Sequence, residues 1–286
     1  MFDLYKEIKN TVSGLNDGLR IAVSNADNFT TPGYKYTYAS FTTVFSRVKS
    51  GGTDKINPVE YPGSMTLGST TTDFTQGPIT FGTGMDVAIV GEGFIPMTNA
   101  ANETGTSDLV YTRAGRFQVD FNNQFVVDSF GRKVFGFKVD ANGNKISNDL
   151  VPIQTNGSND VGFLDDGVFV SSYQKNKDDV KNGVASPTKT TPMYKLALTT
   201  FPNKQGLTLT QGGAWHETLA SGQHLTAGAS KEGSYGSIRG ASLESSNIDV
   251  AKVALDLAIL NRGFSAVQGV IDDVNKILSG LISKLQ

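Results

Sequence analysis

The chain has 286 residues, with 25 Lys and Arg against 27 Asp and Glu and a formal net charge of −2. That balance, with no long block of like charge, argues against a nucleic-acid or anionic-membrane partner. Cysteine is absent, which excludes disulfide frameworks, thiolate nucleophiles and zinc sites that need sulfur.

The first residues, Met1-Phe2-Asp3-Leu4-Tyr5-Lys6-Glu7-Ile8, mix charged with apolar side chains. A cleaved secretory signal needs a basic start and an unbroken apolar run, so export is expected to leave this N-terminus intact. No segment is long and apolar enough to span a bilayer, and membrane insertion is not expected. From Tyr5 the apolar residues fall at Ile8, Val12, Leu15, Leu19, Ala22 and Ala26. Steps of three and four in alternation make a heptad stripe, the pattern of a left-handed supercoiled helix. The stripe ends at Asn28-Phe29-Thr30-Thr31-Pro32-Gly33, where the residue before a proline leaves the helical region and glycine permits a turn.

The middle of the chain reads as β structure. Short alternating runs such as Phe117-Gln118-Val119-Asp120 and Lys133 to Val139 carry the strand signal, and Asn142-Gly143 and Asn156-Gly157 suit tight turns with positive φ. The polar stretch from Lys175 to Thr191 is expected to be an exposed loop or edge insertion. Arg113 and Arg116 are expected to pair with Asp120 and Asp128 across neighbouring strands as surface pairs. Gly91 and Gly93 bracket a turn between apolar strands, and Gly33 and Gly93 are expected where a Cβ has no room.

At the C-terminal end Val250, Val253, Leu257, Leu260, Phe264, Val267, Ile271, Val274, Leu278, Leu281 and Leu285 repeat the heptad alternation. A helix from about Asn247 to the end is roughly 58 Å long. Ser246 or Asn247 is the expected cap, with Asp249 in the first turn where the helix dipole favours an acid. Neither terminal stripe offsets the ordering cost of a lone helix in water. The ends therefore pack on each other or on neighbouring subunits, and the reading preferred here is a coiled pair completed by assembly. Ile8, Val12, Leu15, Leu19, Val253, Leu257, Leu260, Phe264, Val267, Ile271, Val274 and Leu278 are its candidate interface residues. Helices laid on the chain's own β body are the alternative.

Residues 22 to 35 resemble the N-terminal signature of the flagellar rod, hook and hook-associated axial family, through Asn25, Asn28, Thr31, Pro32, Gly33, Tyr34 and Lys35. Further motifs follow in the family's order: Gln76-Gly77-Pro78, Asp86 to Phe94, Tyr111 to Phe117, Val127 to Gly131, Phe201 to Leu207 and Leu243 to Val250. The resemblance covers nearly the whole chain. It lacks the large middle domain common in hook proteins, so a rod-type member is implied, proximal or distal. That implies a subunit of the basal-body rod, exported by the flagellar type III apparatus without a cleaved signal. It further implies assembly in the periplasm into a helical tube that transmits torque and forms the export channel. Its partners are then copies of itself, neighbouring rod and hook proteins and the export apparatus.

The expected fold class is α+β, with long terminal helices forming a coiled-coil core around which a mainly β domain is carried. Residues 1–35 and 241–286 are read as the axial core and 36–240 as the β domain. A short hook protein, a secreted β-rich adhesin or carbohydrate-active enzyme, and a soluble cap or chaperone-like protein are the competing readings. No catalytic, cofactor or metal residues are expected. His216 and His224 lie in a polar stretch and read as solvated or turn residues. Asp140 to Asn144 resembles the start of a calcium loop, but Val151 stands where the bidentate Glu belongs, so a turn is expected. The glycine pairs Gly82/Gly84 and Gly91/Gly93 lack the context of a nucleotide fingerprint, and Asp165-Asp166 is read as a turn.

Overall fold

The heptad runs at the two ends form helices. In the computed structural model, which describes residues 2–47, 60–98, 108–120, 122–186 and 188–285, α1 spans Phe2–Asp27. A short α2 covers Tyr173–Lys181, and α3 covers Val250–Leu285, 36 residues or about 54 Å. Asp249 caps α3 by accepting a 2.9 Å hydrogen bond from the Ala251 N–H. The expected cap at Ser246 or Asn247 is thus displaced toward the helix, and the acid in the first turn is the cap itself.

The chain divides into two units, each discontinuous in sequence: Met1–Phe29, Tyr36–Asp73 and Ile248–Gln286 in one, Thr30–Lys35 and Phe74–Asn247 in the other. In the first unit a long antiparallel hairpin joins α1 and α3. Its strands, β1 (Thr37–Arg47) and β2 (Glu60–Thr72), pair Thr37 with Thr72, Phe41 with Leu67 and Thr43 with Met65, with two irregularities in register. Leu15, Ala22 and Leu260 form a buried cluster, flanked by Leu19, Phe41, Met65, Leu257, Phe264 and Val267. Gly18, on α1, explains the close approach, because a Cβ there would stand 2.4 Å from the Phe41 ring. The helix interior bears the usual cost of a glycine, about 1 kcal/mol, to admit that ring.

The second unit is the β body, with every described strand pair antiparallel. A five-stranded sheet runs in the spatial order Val151–Pro152, Phe135–Lys138, Thr191–Leu196, Val168–Ser171, Val161–Phe163. A four-stranded sheet runs Thr208–Thr210, Ala214–His216, Leu109–Thr112, Ile95–Thr98. Two-stranded pairs join Ser237–Gly240 to Val87–Val90 and Ser242–Glu244 to Ile79–Phe81. The core is aliphatic around Val87, Ile89, Ile95, Met97, Val110 and Leu196. It is aromatic around Phe94, Tyr111, Phe135, Phe201 and Trp215, where Phe94 meets Trp215 edge-on at 5.5 Å between ring centres.

One local expectation changes here and one holds. The stretch from Lys175 to Thr191 is not only a loop, since α2 occupies its first part and a strand begins at Thr191. The reason lies outside the stretch: the Asp160 carboxylate accepts from the Gln174 and Lys175 N–H groups at 2.6 and 3.0 Å, holding the first turn of α2. Asp165-Asp166 is a 3-10 turn with Asp166 at φ 64°, as the sequence suggested. No helix among the described residues is long and apolar enough to cross a membrane.

Candidate functional site

The terminal-helix stripe packs within the first unit. On α1, Leu15 is buried and Ile8, Val12 and Leu19 are half-buried; on α3, Val253 and Leu260 are buried and Leu257 half-buried. From 261 to 280 the only residues not exposed are Gly263 and the stripe positions Phe264, Val267, Ile271, Val274 and Leu278. From Val253 to Leu278 the heptad spacing therefore reports the inward face of α3, whereas its first member, Val250, is exposed. The side chains of Leu281 and Leu285 lie outside the described residues. At the start of α3, the Tyr36 hydroxyl donates to Asp256 and the Lys252 ammonium donates to the Tyr38 hydroxyl at 2.8 Å. Lys252 also stands 4.8 and 4.0 Å from the centres of the Tyr36 and Tyr38 rings. Burial pushes the Tyr36 hydroxyl well above the ordinary tyrosine range, and the adjacent Asp256 carboxylate adds to the shift. These contacts pin the first turns of α3 to the start of β1.

The signature residues fix the chain where α1 gives way to extended backbone. The buried Asn25 amide donates to the Thr37 carbonyl at 2.8 Å and its oxygen accepts from the Thr37 N–H at 3.1 Å, so one side chain satisfies both backbone groups of a strand residue. The Asn28 side-chain amide donates to the Ser24 carbonyl at 2.8 Å, beside the Asn28 N–H that meets the same oxygen at 3.2 Å, and so closes the last turn of α1 twice over. In the second unit, the Thr31 carbonyl accepts from the Tyr34 N–H and closes a turn, with Gly33 at φ 67°. A Cβ on Gly33 would lie 2.5 Å from the Arg113 carbonyl carbon and the Ala114 nitrogen, which no side chain tolerates. Tyr34 is buried, and its carbonyl accepts from the Asn247 N–H.

Lys35 leads to the centre of the β unit. Its ammonium is buried and donates to Glu244 Oε1 at 2.6 Å and to the Thr75 carbonyl at 2.7 Å. Glu244 is fully buried; Oε1 also accepts from the Gly77 N–H at 3.0 Å and Oε2 from Arg113 Nε at 3.1 Å. Arg113 spends its remaining donors on the carbonyls of Gly91 and Gly93 at 3.0 to 3.1 Å. Gly91 and Gly93 stand at φ 99° and 143°; a Cβ on Gly93 would lie 3.5 Å from Leu198, so the positive φ and not the expected lack of room is what favours glycine there. One carboxylate thus gathers Lys35, Gly77 and Arg113, and through Arg113 the Gly91–Gly93 turn. Such a cluster fixes geometry: its desolvation offsets most of its Coulomb energy, while loss of one partner strands the others.

No family model matches the chain. The flagellar hook protein FlgE of Helicobacter pylori (strain ATCC 700392 / 26695) is 34% identical over 127 residues, 44% of this chain. The chain spans only 16% of that protein's length. The flagellar basal-body rod protein FlgG of Bacillus subtilis (strain 168) is 24% identical over 290 residues, 98% of this chain and 99% of that protein. FlgG of Agrobacterium fabrum is 26% identical over 276 residues, 93% and 92% of the two chains. The chain is related to the flagellar rod and hook proteins.

Within this rod-like and hook-like chain, the expected pairing of Arg113 and Arg116 with Asp120 and Asp128 is overturned. Arg113 pairs with Glu244, 131 residues away, and Asp128 pairs with Arg132 at 2.6 Å, both nearly buried. Asp120 instead caps its own turn, accepting from the Asn122 N–H and the Asn123 amide at 3.0 Å each. Both ion pairs belong to the interior rather than the surface: Arg113 and Glu244 are brought together by strands remote in sequence, whereas Asp128 and Arg132 pair across a local turn. The role of Glu244 was missed because its partners Lys35 and Arg113 are remote in sequence; nothing in the polar run Ser242 to Asn247 marks the acid locally.

The other polar candidates resolve as local structure. Asp140 accepts from the Asn142 and Asn144 N–H groups at 2.9 and 2.8 Å; those bonds, led by Asn144, hold its carboxyl below the ordinary range. His216 Nε2 meets Asp108 at 3.0 Å, which raises the imidazole above its ordinary value. His224 Nδ1 meets Glu217 and the Tyr111 hydroxyl at 2.9 Å each. Both histidines are about one-third or more exposed.

Proposed function

We propose that the chain is a structural subunit of the bacterial flagellar rod, with no catalytic role, assembling through apolar faces of its terminal helices into a helical tube. The observation that carries this reading is the end-to-end match to the rod proteins, 98% of this chain against 99% of the Bacillus subtilis protein. The tube transmits torque and encloses the export channel. Helices α1 and α3 supply its axial, coiled-coil core. Its place is the periplasm-spanning part of the basal body, reached through the flagellar export apparatus. There it contacts copies of itself and neighbouring rod and hook proteins.

Electron microscopy of the purified, concentrated protein tests the reading. Tubes or fibres are expected, and a protein that stays monomeric at every concentration overturns it. The 34% identity over 127 residues with a hook protein favours a second reading, a short hook protein. Immunogold labelling of isolated hook–basal bodies separates the two: label confined to the rod supports the first and label along the hook the second.

A further inference from the structure

The helical unit buries one apolar stripe of α3 and leaves a second in water. Leu255, Ile259, Val270 and Ile277 are 59%, 57%, 46% and 62% exposed, and Ala266 between them is exposed as well. At 3.6 residues per turn these five fall within about 60° of one another and roughly 110° around the helix from the buried stripe. They extend along about 33 Å of α3. Single exposed apolar side chains are ordinary, but an aligned row of them marks a contact surface.

The same unit contains a receptive surface. The first turns of α1 and the last turns of α3 enclose an apolar groove of about 480 Å³, lined by Leu4, Tyr5, Ile8, Val274 and Leu278 and by Lys6 and Lys9. Both lysines are exposed. Asp273, between Val270 and Ile277, lies at the edge of the outer stripe with its carboxylate three-quarters exposed. Its 3.4 Å pair with Lys276 is a surface pair of the kind that exchanges partners at little cost. Stripe and groove therefore match in apolar character and in charge.

Stripe and groove are different patches, so a contact between them is head-to-tail and propagates rather than closing into a two-fold dimer. The buried stripe from Val253 to Val267 is already used against α1 and the hairpin, and its later members Val274 and Leu278 form the groove wall. We propose that the outer stripe of α3, not the buried one, joins one copy to the next. The Val270–Ile277 section seats in the groove of a second copy, and Asp273 faces that copy's Lys6 and Lys9. The proposal rests on the rod-subunit reading and names its contact.

The chain has no cysteine of its own, so copies carrying only Tyr5→Cys can be mixed with copies carrying only Ile277→Cys and oxidised under conditions where the parent pellets. A cross-linked dimer of mixed parentage is expected, at least tenfold above either variant alone. Ile259→Asp with Val270→Asp is expected to remove pelleting while circular dichroism and melting stay at the parent values. Lys6→Glu with Lys9→Glu is expected to do the same, and adding Asp273→Lys to restore pelleting, a rescue that misfolding does not give. Parent polymers that yield no mixed dimer, or Ile259→Asp/Val270→Asp protein that pellets normally, overturn this contact and leave the rod reading standing. A parent that never pellets overturns both.

Discussion

In the β unit Val87, Ile89, Ile95, Met97 and Val110 are removed from water completely, whereas beyond Leu260 every inward-facing stripe residue of α3 up to Leu278 remains half-buried. The two regions treat charge differently as well. The β unit encloses Lys35, Arg113 and Glu244 together, while the described ion pair in the last turns of α3, Asp273 with Lys276, is at the surface. The β unit is thus closed on itself, its polar groups satisfied inside, and the helical unit keeps an exposed apolar row on α3. Of the two apolar stripes on α3, the chain itself covers one.

The largest effect that tests this contrast is expected at the buried hub. Glu244→Ala removes the carboxylate from two buried cations and should cost about 3–5 kcal/mol. The emission of the sole tryptophan, Trp215, buried in the aromatic cluster, reads the β unit during melting. A Glu244→Ala protein with the parent's midpoint would break the picture of a unit held by internal charge. Next, Leu260→Ala should cost about 2–4 kcal/mol by opening a cavity among Leu15, Leu257 and Phe264. Its neighbour Ile259→Ala, on the outer stripe, should stay within about 0.5 kcal/mol. Hydrogen exchange along α3 distinguishes the two, and equal loss of protection in both would erase the distinction between stripes.

A smaller effect is expected from Gly33→Val, about 1–3 kcal/mol, because a side chain at φ 67° is strained and meets Arg113 backbone. Gly157→Ala has the same sign of φ but open space around it, so only the conformational cost, about 1 kcal/mol, should remain. Equal melting of the two variants would show that the contact with Arg113 does not matter. The smallest effect concerns pH. Because Asp108 raises the folded-state pKa of His216, the stabilisation is complete below the unfolded imidazole value of roughly 6.5 and is lost as pH climbs through the raised value. Screening at this half-exposed pair keeps it below about 1 kcal/mol. The Asp108→Asn variant should flatten that part of the pH–stability curve, and an unchanged curve would exclude the pair as its source.

Much of the helical geometry was legible in the residues. The alternation of threes and fours picked the inward face of α3 from Val253 to Leu278, because a helix repeats its orientation on the same interval that the apolar side chains do. The turns at Asn142-Gly143 and Asn156-Gly157 were legible for a similar reason, as the φ of Gly143, Asn156 and Gly157 is positive. The α3 cap shifted to Asp249 and α2 arose within an expected loop, since end positions depend on which nearby or remote oxygen reaches the first free N–H groups.

Sequence by itself determined the two terminal helices, their apolar stripe and the β character of the middle, all properties set by intervals of a few residues. Only the tertiary structure decided that β1 and β2 share a core with those helices. It alone placed Glu244 against Lys35 across 209 positions and exposed a second stripe on α3 while burying the first. Local periodicity fixes which residues face the same way. Which of those faces meets another is settled by long-range packing, where the chain's own path brings distant segments within reach and leaves others in water.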